Sequence, residues 1–210
     1  MDESEPQVTL AAIVLCAGSS SRMGRPKALL DFGGKPALTR ILETARKANI
    51  HKLLVVLGRQ AAEIRAGADL AGCQVLINQE PERGQLSSIQ LGMSKLDFAT
   101  DAALVWPVDC PLVEASDLEA LRAAYVKGRR SLMRIFVPVY GGKRGHPMLV
   151  DIGFRQPFME LKAGQSARNV MEANPTQVME VPVSHTGVLL DIDTPEEYVT
   201  ARKLWETRPR

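Results

Sequence analysis

Two stretches constrain this chain more than any others: AAIVLCA at 11–17, followed by Gly18, and KLLVVLG at 52–58, itself ended by glycine. A half-buried strand alternates apolar and polar residues. A short, nearly continuous apolar run suits a strand covered on both faces, as in a parallel sheet flanked by helices. CQVLIN (73–78), AALVWPV (102–108) and RIFVPVY (134–140) read the same way. Between the runs lie helical stripes. Leu38, Ile41, Leu42 and Ala45 fall at i, i+3, i+4 and i+7, and Leu118, Leu121 and Tyr125 form a second stripe. Strand alternating with helix predicts an α/β fold, an open, mostly parallel Rossmann-like sheet with helices on both faces. Ser116 with Glu119 is expected to cap the second helix, and Thr194, Pro195 and Glu197 to open a C-terminal one. The glycine turns of VYGGKRGHPMLV predict a small β excursion beside the main sheet near 140–150. SARNVMEAN (166–174) reads as a short helix, and TQVMEVPV and VLLDID (188–193) as a return to strand.

A chain of 210 residues, 45% apolar and 24% charged, has globular composition. Neither repeats nor a low-complexity linker divide it, so one domain is expected over 8–207, with MDESEPQ (1–7) a short flexible N-terminus. The net charge of +2 is too small to argue for a nucleic-acid or membrane partner, so any cationic chemistry must be local. Cys16, Cys73 and Cys110 are widely spaced and suggest neither a disulfide framework nor a CxxC metal site. The acidic N-terminus lacks an apolar signal core, and no run approaches membrane-spanning length; the expectation is a cytoplasmic protein with small-molecule substrates.

The first apolar run breaks into AGSSSRMGRPKALL. Loops at the carboxyl ends of strands are where open α/β sheets bind ligands. Gly18 and the serines let backbone N–H groups approach an anion, Gly24 permits a conformation most residues avoid, and Arg22 and Lys27 add charge. Phosphate is the natural guest; a solvated turn that happens to carry serines and arginines is the other reading of the loop alone. The loop matches neither GxxxxGK[ST] nor GxGxxG, which argues against a P-loop hydrolase and a dinucleotide dehydrogenase. Asp109 stands past another apolar run between Pro107 and Pro111, either as a ligand for a hard cation or as a turn aspartate accepting backbone N–H bonds. Asp191 and Asp193 alternate with Leu190 and Ile192, so on a strand both carboxylates share a face. Asp193 also precedes the C-terminal helix, where negative charge favours the dipole without any metal.

Taken in order, LCAGSSSRMGRPKALL, PVDCP, RGHP and DIDTPEEY resemble the molybdenum cofactor cytidylyltransferases, the MocA-like branch of the MobA-like NTP transferase family. The likeness runs from about residue 10 to 205. Ala17 before the glycine and Pro26 before Lys27 look like the cytidylyl rather than the guanylyl branch. The resemblance implies transfer of CMP from CTP to the terminal phosphate of molybdopterin, releasing pyrophosphate, by in-line attack on the α-phosphate. A sugar- or polyol-phosphate acceptor, or GTP as donor, would use the same fold; a non-catalytic cofactor chaperone would not need the metal. By the family pattern Ala17, Gly18 and Ser19 lie along the triphosphate, Arg22 holds the departing pyrophosphate, and Lys27 neutralises charge near the α-phosphate. Asp109 is expected to carry Mg²⁺ or Mn²⁺ with Asp193, and Asp191 less so. NQEPERGQLSSIQLG fits a family segment near the nucleotide, which makes Gly84, Ser87 and Ser88 candidate contacts, although Gln85 and Leu86 replace its usual Met-Ser. The serines are equally readable as first-turn helix residues. Arg144 and His146 of RGHP fall on the acceptor side, where Gln165 departs from the family's aspartate. The resemblance also implies a molybdenum hydroxylase apo-enzyme as the partner receiving the product.

Overall fold

The structure is a computed structural model and describes residues 8–208; the expected flexible segment 1–7 lies outside the described residues. The strands are β1 (Leu10–Cys16), β2 (Lys52–Leu57), β3 (Cys73–Ile77), β4 (Ala102–Pro107), β5 (Ile135–Tyr140), β6 (Lys143–Arg144), β7 (Met148–Asp151) and β8 (Val178–Pro182). The helices are α1 (Ala37–Lys47), α2 (Ala61–Gly67), α3 (Gln85–Ser94), α4 (Ala115–Gly128), α5 (Gln156–Met159), α6 (Ala167–Ala173) and α7 (Pro195–Glu206).

One sheet orders the strands β3-β2-β1-β4-β7-β5-β6, with β8 paired to β5. β1 to β4 pair in parallel, β7 runs antiparallel to both β4 and β5, and β5 and β8 pair in parallel. The sheet is therefore mostly parallel, as expected. All seven residues of β1 are buried. Pleating divides them between two cores. Ala12, Val14 and Cys16 meet Leu38, Ile41, Leu42 and Ala45 of α1, while Ala11, Ile13 and Leu15 meet Ile89 and Met93 of α3. Covering both faces is what the unbroken apolar run required.

Three expectations need correction. The segment around 140–150 is no excursion beside the sheet, because β7 sits within it between β4 and β5. MLV is buried and apolar enough for an interior position, and only β6 with its glycine turn projects from the edge. The capping box of α4 is Glu114 with Asp117, two residues earlier than Ser116 with Glu119. The Glu114 N–H donates to Asp117 Oδ2 at 2.8 Å, since a carboxylate satisfies an orphan amide as well as a hydroxyl does. Finally, VLLDID is not a strand. Thr186–Leu189 form a 3₁₀ turn, and 190–193 are irregular. The α7 start is as expected, with Thr194 and Glu197 capping reciprocally.

Candidate active site

The parallel strands end together, and their carboxyl edge carries the site. After β1, residues 17–26 wrap back toward the sheet. Ser20 takes a left-handed φ of 51° and Gly24 one of 67°, the latter at no steric cost. The Ser20 turn brings its Oγ to accept from the Lys27 backbone N–H at 3.2 Å. Met23 packs against a small cluster containing Leu30, Phe32, Leu112, Ile192 and Tyr198, which anchors the loop from beneath. Lys27 opens a short 3₁₀ turn, with its side chain only 14% exposed and aimed at the end of β4.

Asp109 follows β4. Trp106, fully buried, donates from Nε1 to the Cys110 carbonyl at 3.0 Å and so ties the strand end to this loop. The Ile192 N–H donates to the Asp109 carbonyl at 3.0 Å, and the Ile192 side chain is buried. Ile192 is the reason that two residues far along the chain reach Asp109. The apolar anchor is fixed, and the carboxylates on either side of it are delivered to the cleft without any strand. Gly187 seats the same segment, because a Cβ there would lie 2.2 Å from the Leu112 carbonyl oxygen.

Lys27 Nζ lies 2.5 Å from Asp193 Oδ1 and 3.2 Å from Asp109 Oδ2, and Arg22 donates to Asp193 Oδ2 at 2.6 Å. The four charges form a chain Arg22–Asp193–Lys27–Asp109. Lys27 is held above its ordinary pKa: burial opposes the charged form, but the two carboxylates more than offset it. Hydrogen bonds from Lys27 hold Asp193 below the usual carboxylate range. Asp191 goes the other way. Although the residue is exposed overall, desolvation of its carboxyl and the neighbouring Asp109 and Asp193 charges push it up to about 6.

Asp109, Cys110 and Asp191 each present an atom within 4.8 Å of the others, a donor set able to hold a metal ion. The Cys110 thiol is kept protonated, first by burial and then by Asp109 and Asp191, so the effective donors are two carboxylates. Two crowded carboxylates, one of them pushed toward its neutral form, fit a hard divalent cation that takes oxygen ligands. The expected pair was Asp109 with Asp193. In the structure Asp193 is occupied by Lys27 and Arg22, and Asp191 shares the donor cluster with Asp109.

A cleft of about 350 Å³ opens here, lined by residues 15–22, Pro26, Lys27, Gly84, Ser88, Asp109 and Asp193 among others. It gathers Ala17, Gly18, Ser19, Arg22, Lys27, Gly84, Ser88, Asp109 and Asp193. Ser87 is not on the wall; its hydroxyl is within 2.8 Å of the Gly84 carbonyl. Arg144 is exposed and ion-paired to Glu180 at 2.8 Å, away from the cleft lining. His146 is half-buried, with a lowered pKa from burial that the Asp109 charge partly opposes, and its buried Nδ1 has no partner. Sequence reasoning missed Gln60 and Gln85, two carboxamides on the cleft wall. Gln85 stands where the resembled segment has methionine, which was the available signal; Gln60 sits just before α2 and carried none.

The profile of the MobA-like NTP transferase domain matches residues 12–178. The chain is 29% identical over 205 residues to nicotine blue oxidoreductase of Paenarthrobacter nicotinovorans, covering 93% of this chain and 97% of that one. It also matches bifunctional GlmU proteins, but spans only 25% to 40% of their length. Among solved structures, Rv0371c of Mycobacterium tuberculosis superposes with a TM-score of 0.82 at 23% identity, over 93% of this chain and 98% of that one. The same protein is solved in complex with manganese, with a TM-score of 0.79 at 23% identity over 96% of this chain and 100% of that one. Molybdopterin-guanine dinucleotide biosynthesis protein A of Archaeoglobus fulgidus gives a TM-score of 0.69 at 16% identity, over 95% of this chain and 100% of that one. Among the described residues, no helix is long and apolar enough to cross a membrane.

Proposed function

The chain belongs to the MobA-like NTP transferase family, and from that premise we propose that it transfers CMP from CTP to the terminal phosphate of molybdopterin and releases pyrophosphate. The observation that carries the reading is the Lys27 ammonium, set between Asp109 and Asp193 at the floor of a cleft walled by a glycine- and serine-rich loop. That arrangement suits two anions that must approach each other. Joining two phosphates needs positioning and charge neutralisation more than covalent chemistry from the protein.

In this reading the backbone around Ala17, Gly18 and Ser19 lies along the triphosphate, and Gly84 and Ser88 line its nucleoside half. Arg22 moves from Asp193 onto the departing pyrophosphate. Lys27 meets the charge that develops at the α-phosphate. The acceptor phosphate is ionised near neutrality, so no general base is required, and a neutral His146 orients the acceptor through a hydrogen bond. Asp109 with Asp191 would hold Mg²⁺ or Mn²⁺, and Asp193 would join them once Lys27 and Arg22 turn to the nucleotide. When bound, the ion supplies charge neutralisation at phosphate oxygens.

The test is pyrophosphate release from CTP or GTP in the presence of molybdopterin or a sugar or polyol phosphate. Release from CTP with molybdopterin is the expected result. Release with GTP alone would move the chain to the guanylyl branch, and release only with a sugar phosphate would replace the acceptor. The name of the full-length relative favours a second, redox reading. Interconversion of nicotine blue and its reduced form, with no pyrophosphate released under any condition, would support it instead.

A further inference from the structure

Ser88 is 2% exposed and lies on the cleft wall, in the first turn of α3. Its hydroxyl can face the ligand either as donor or as acceptor, and a neighbouring side chain decides which. Asn78, 7% exposed, follows β3, where its own N–H donates to the Leu57 carbonyl at 2.8 Å. Its carboxamide has three partners. Oδ1 accepts from the Glu80 N–H at 2.9 Å, and Nδ2 donates to Ser87 Oγ at 2.8 Å and to Ser88 Oγ at 2.9 Å.

The Glu80 partner fixes the amide orientation. A backbone N–H can only donate, so the oxygen must face it and the NH₂ must face the serines. Ser87 accepts from Asn78 and passes its own proton to the Gly84 carbonyl at 2.8 Å. Ser88 also accepts from Asn78, but no acceptor for its proton is present among the described residues. Its O–H is therefore committed as a donor, and the cleft is the direction left to it.

We infer that Asn78 is a positioning residue that holds a lone pair of Ser88 and so leaves its O–H to donate toward an oxygen or ring-nitrogen acceptor of the bound nucleoside triphosphate. This rests on the nucleotide-binding reading above. Asn78 itself touches no ligand. It acts through Ser88, and its Glu80 contact couples that donor to the 80–84 loop, which brings Gly84 to the same wall.

Asn78→Asp is the informative change, because it is nearly isosteric and turns the donor that faces Ser87 and Ser88 into an acceptor. A carboxylate accepts the Ser88 proton and removes it from the ligand, while Oδ1 keeps its bond to Glu80. CTP affinity in Mn²⁺, read by titration, and the KM for CTP should both worsen about tenfold, the loss of roughly one hydrogen bond. The loss should fall mainly on KM. Ser88→Ala should lose a similar amount, and the double variant should bind no worse than either single one. Effects that multiply, or a kcat loss that tracks a lower melting temperature, would reduce Asn78 to a structural role and overturn the inference. Should Asn78→Asp fail to fold, Ser88→Ala alone decides: unchanged affinity refutes the donor. Wild-type protein that binds none of CTP, GTP, ATP or UTP would instead sink the nucleotide reading and the inference with it. Tight wild-type binding with equally tight variants sinks only the inference.

Discussion

Replacing Lys27 by methionine should move two observables in opposite directions. The side chain keeps its length and apolar stem and loses only the ammonium. With it go the contacts to Asp193 at 2.5 Å and to Asp109 at 3.2 Å. If Lys27 meets charge that develops in the transition state, kcat should fall about 10²-fold or more, the usual cost of removing one such donor. Affinity for CTP should fall far less. The metal should respond the other way. Without nucleotide, the ammonium is the internal counter-ion of the carboxylate cluster and competes with any divalent cation. Each contact is worth on the order of 1 kcal/mol even at water-like dielectric. Releasing both carboxylates, discounted for their partial exposure, should tighten Mn²⁺ binding about tenfold, or roughly 1.4 kcal/mol. Pyrophosphate release measures the first effect and Mn²⁺ titration of the nucleotide-free protein the second. Equal losses in kcat and CTP affinity would make Lys27 a simple binding residue. Weaker Mn²⁺ binding in the variant would show that the lysine organises the carboxylates rather than competing for them, and would refute the electrostatic argument.

Asp109→Ala should abolish metal-dependent turnover with a melting temperature close to wild type; retained activity would place the metal elsewhere. The raised pKa of Asp191, about 6 against an unfolded value near 3.8, carries a definite sign. Between these values the folded state holds more protons than the unfolded one, so this group lowers stability as pH rises from about 4 through 6. Saturating Mg²⁺ should remove that decline, which melting curves at several pH values would detect; a slope indifferent to Mg²⁺ would separate Asp191 from the metal. Gly187→Ala drives a Cβ to within 2.2 Å of the Leu112 carbonyl. Backbone does not yield as a side chain does, so stability should fall about 1–3 kcal/mol. Turnover should fall as well, because the displaced segment carries Asp191 and Asp193; full activity would mean that their placement tolerates the shift.

Much of the fold was legible in the chain because burial on two faces leaves a local mark. AAIVLCA and KLLVVLG could only be central strands, and the Leu38 stripe could only be a helix lying on them. The clustering of the loop residues was legible for a similar reason: Gly18, the serines, Arg22 and Lys27 are contiguous, so any fold brings them to one wall, whereas their partners Asp109 and Asp193 lie far along the chain. The placement of β7 within the sheet was not legible, since a four-residue apolar run carries no record of which strand it pairs with. Nor was the division of labour among the acidic residues. Alternation put Asp191 and Asp193 on one strand face, whereas burial of Ile192 and its bond to the Asp109 carbonyl turn one carboxylate toward Asp109 and the other toward Lys27 and Arg22. Asn78 left no trace either, because the direction of a hydrogen bond is set by what the far end of the amide meets. Composition and order determine which charges exist and which segments must be covered. Only packing across nearly the whole chain length decides which of those charges share a cavity, since Coulomb and hydrogen-bond energies depend on distances that sequence separation does not encode.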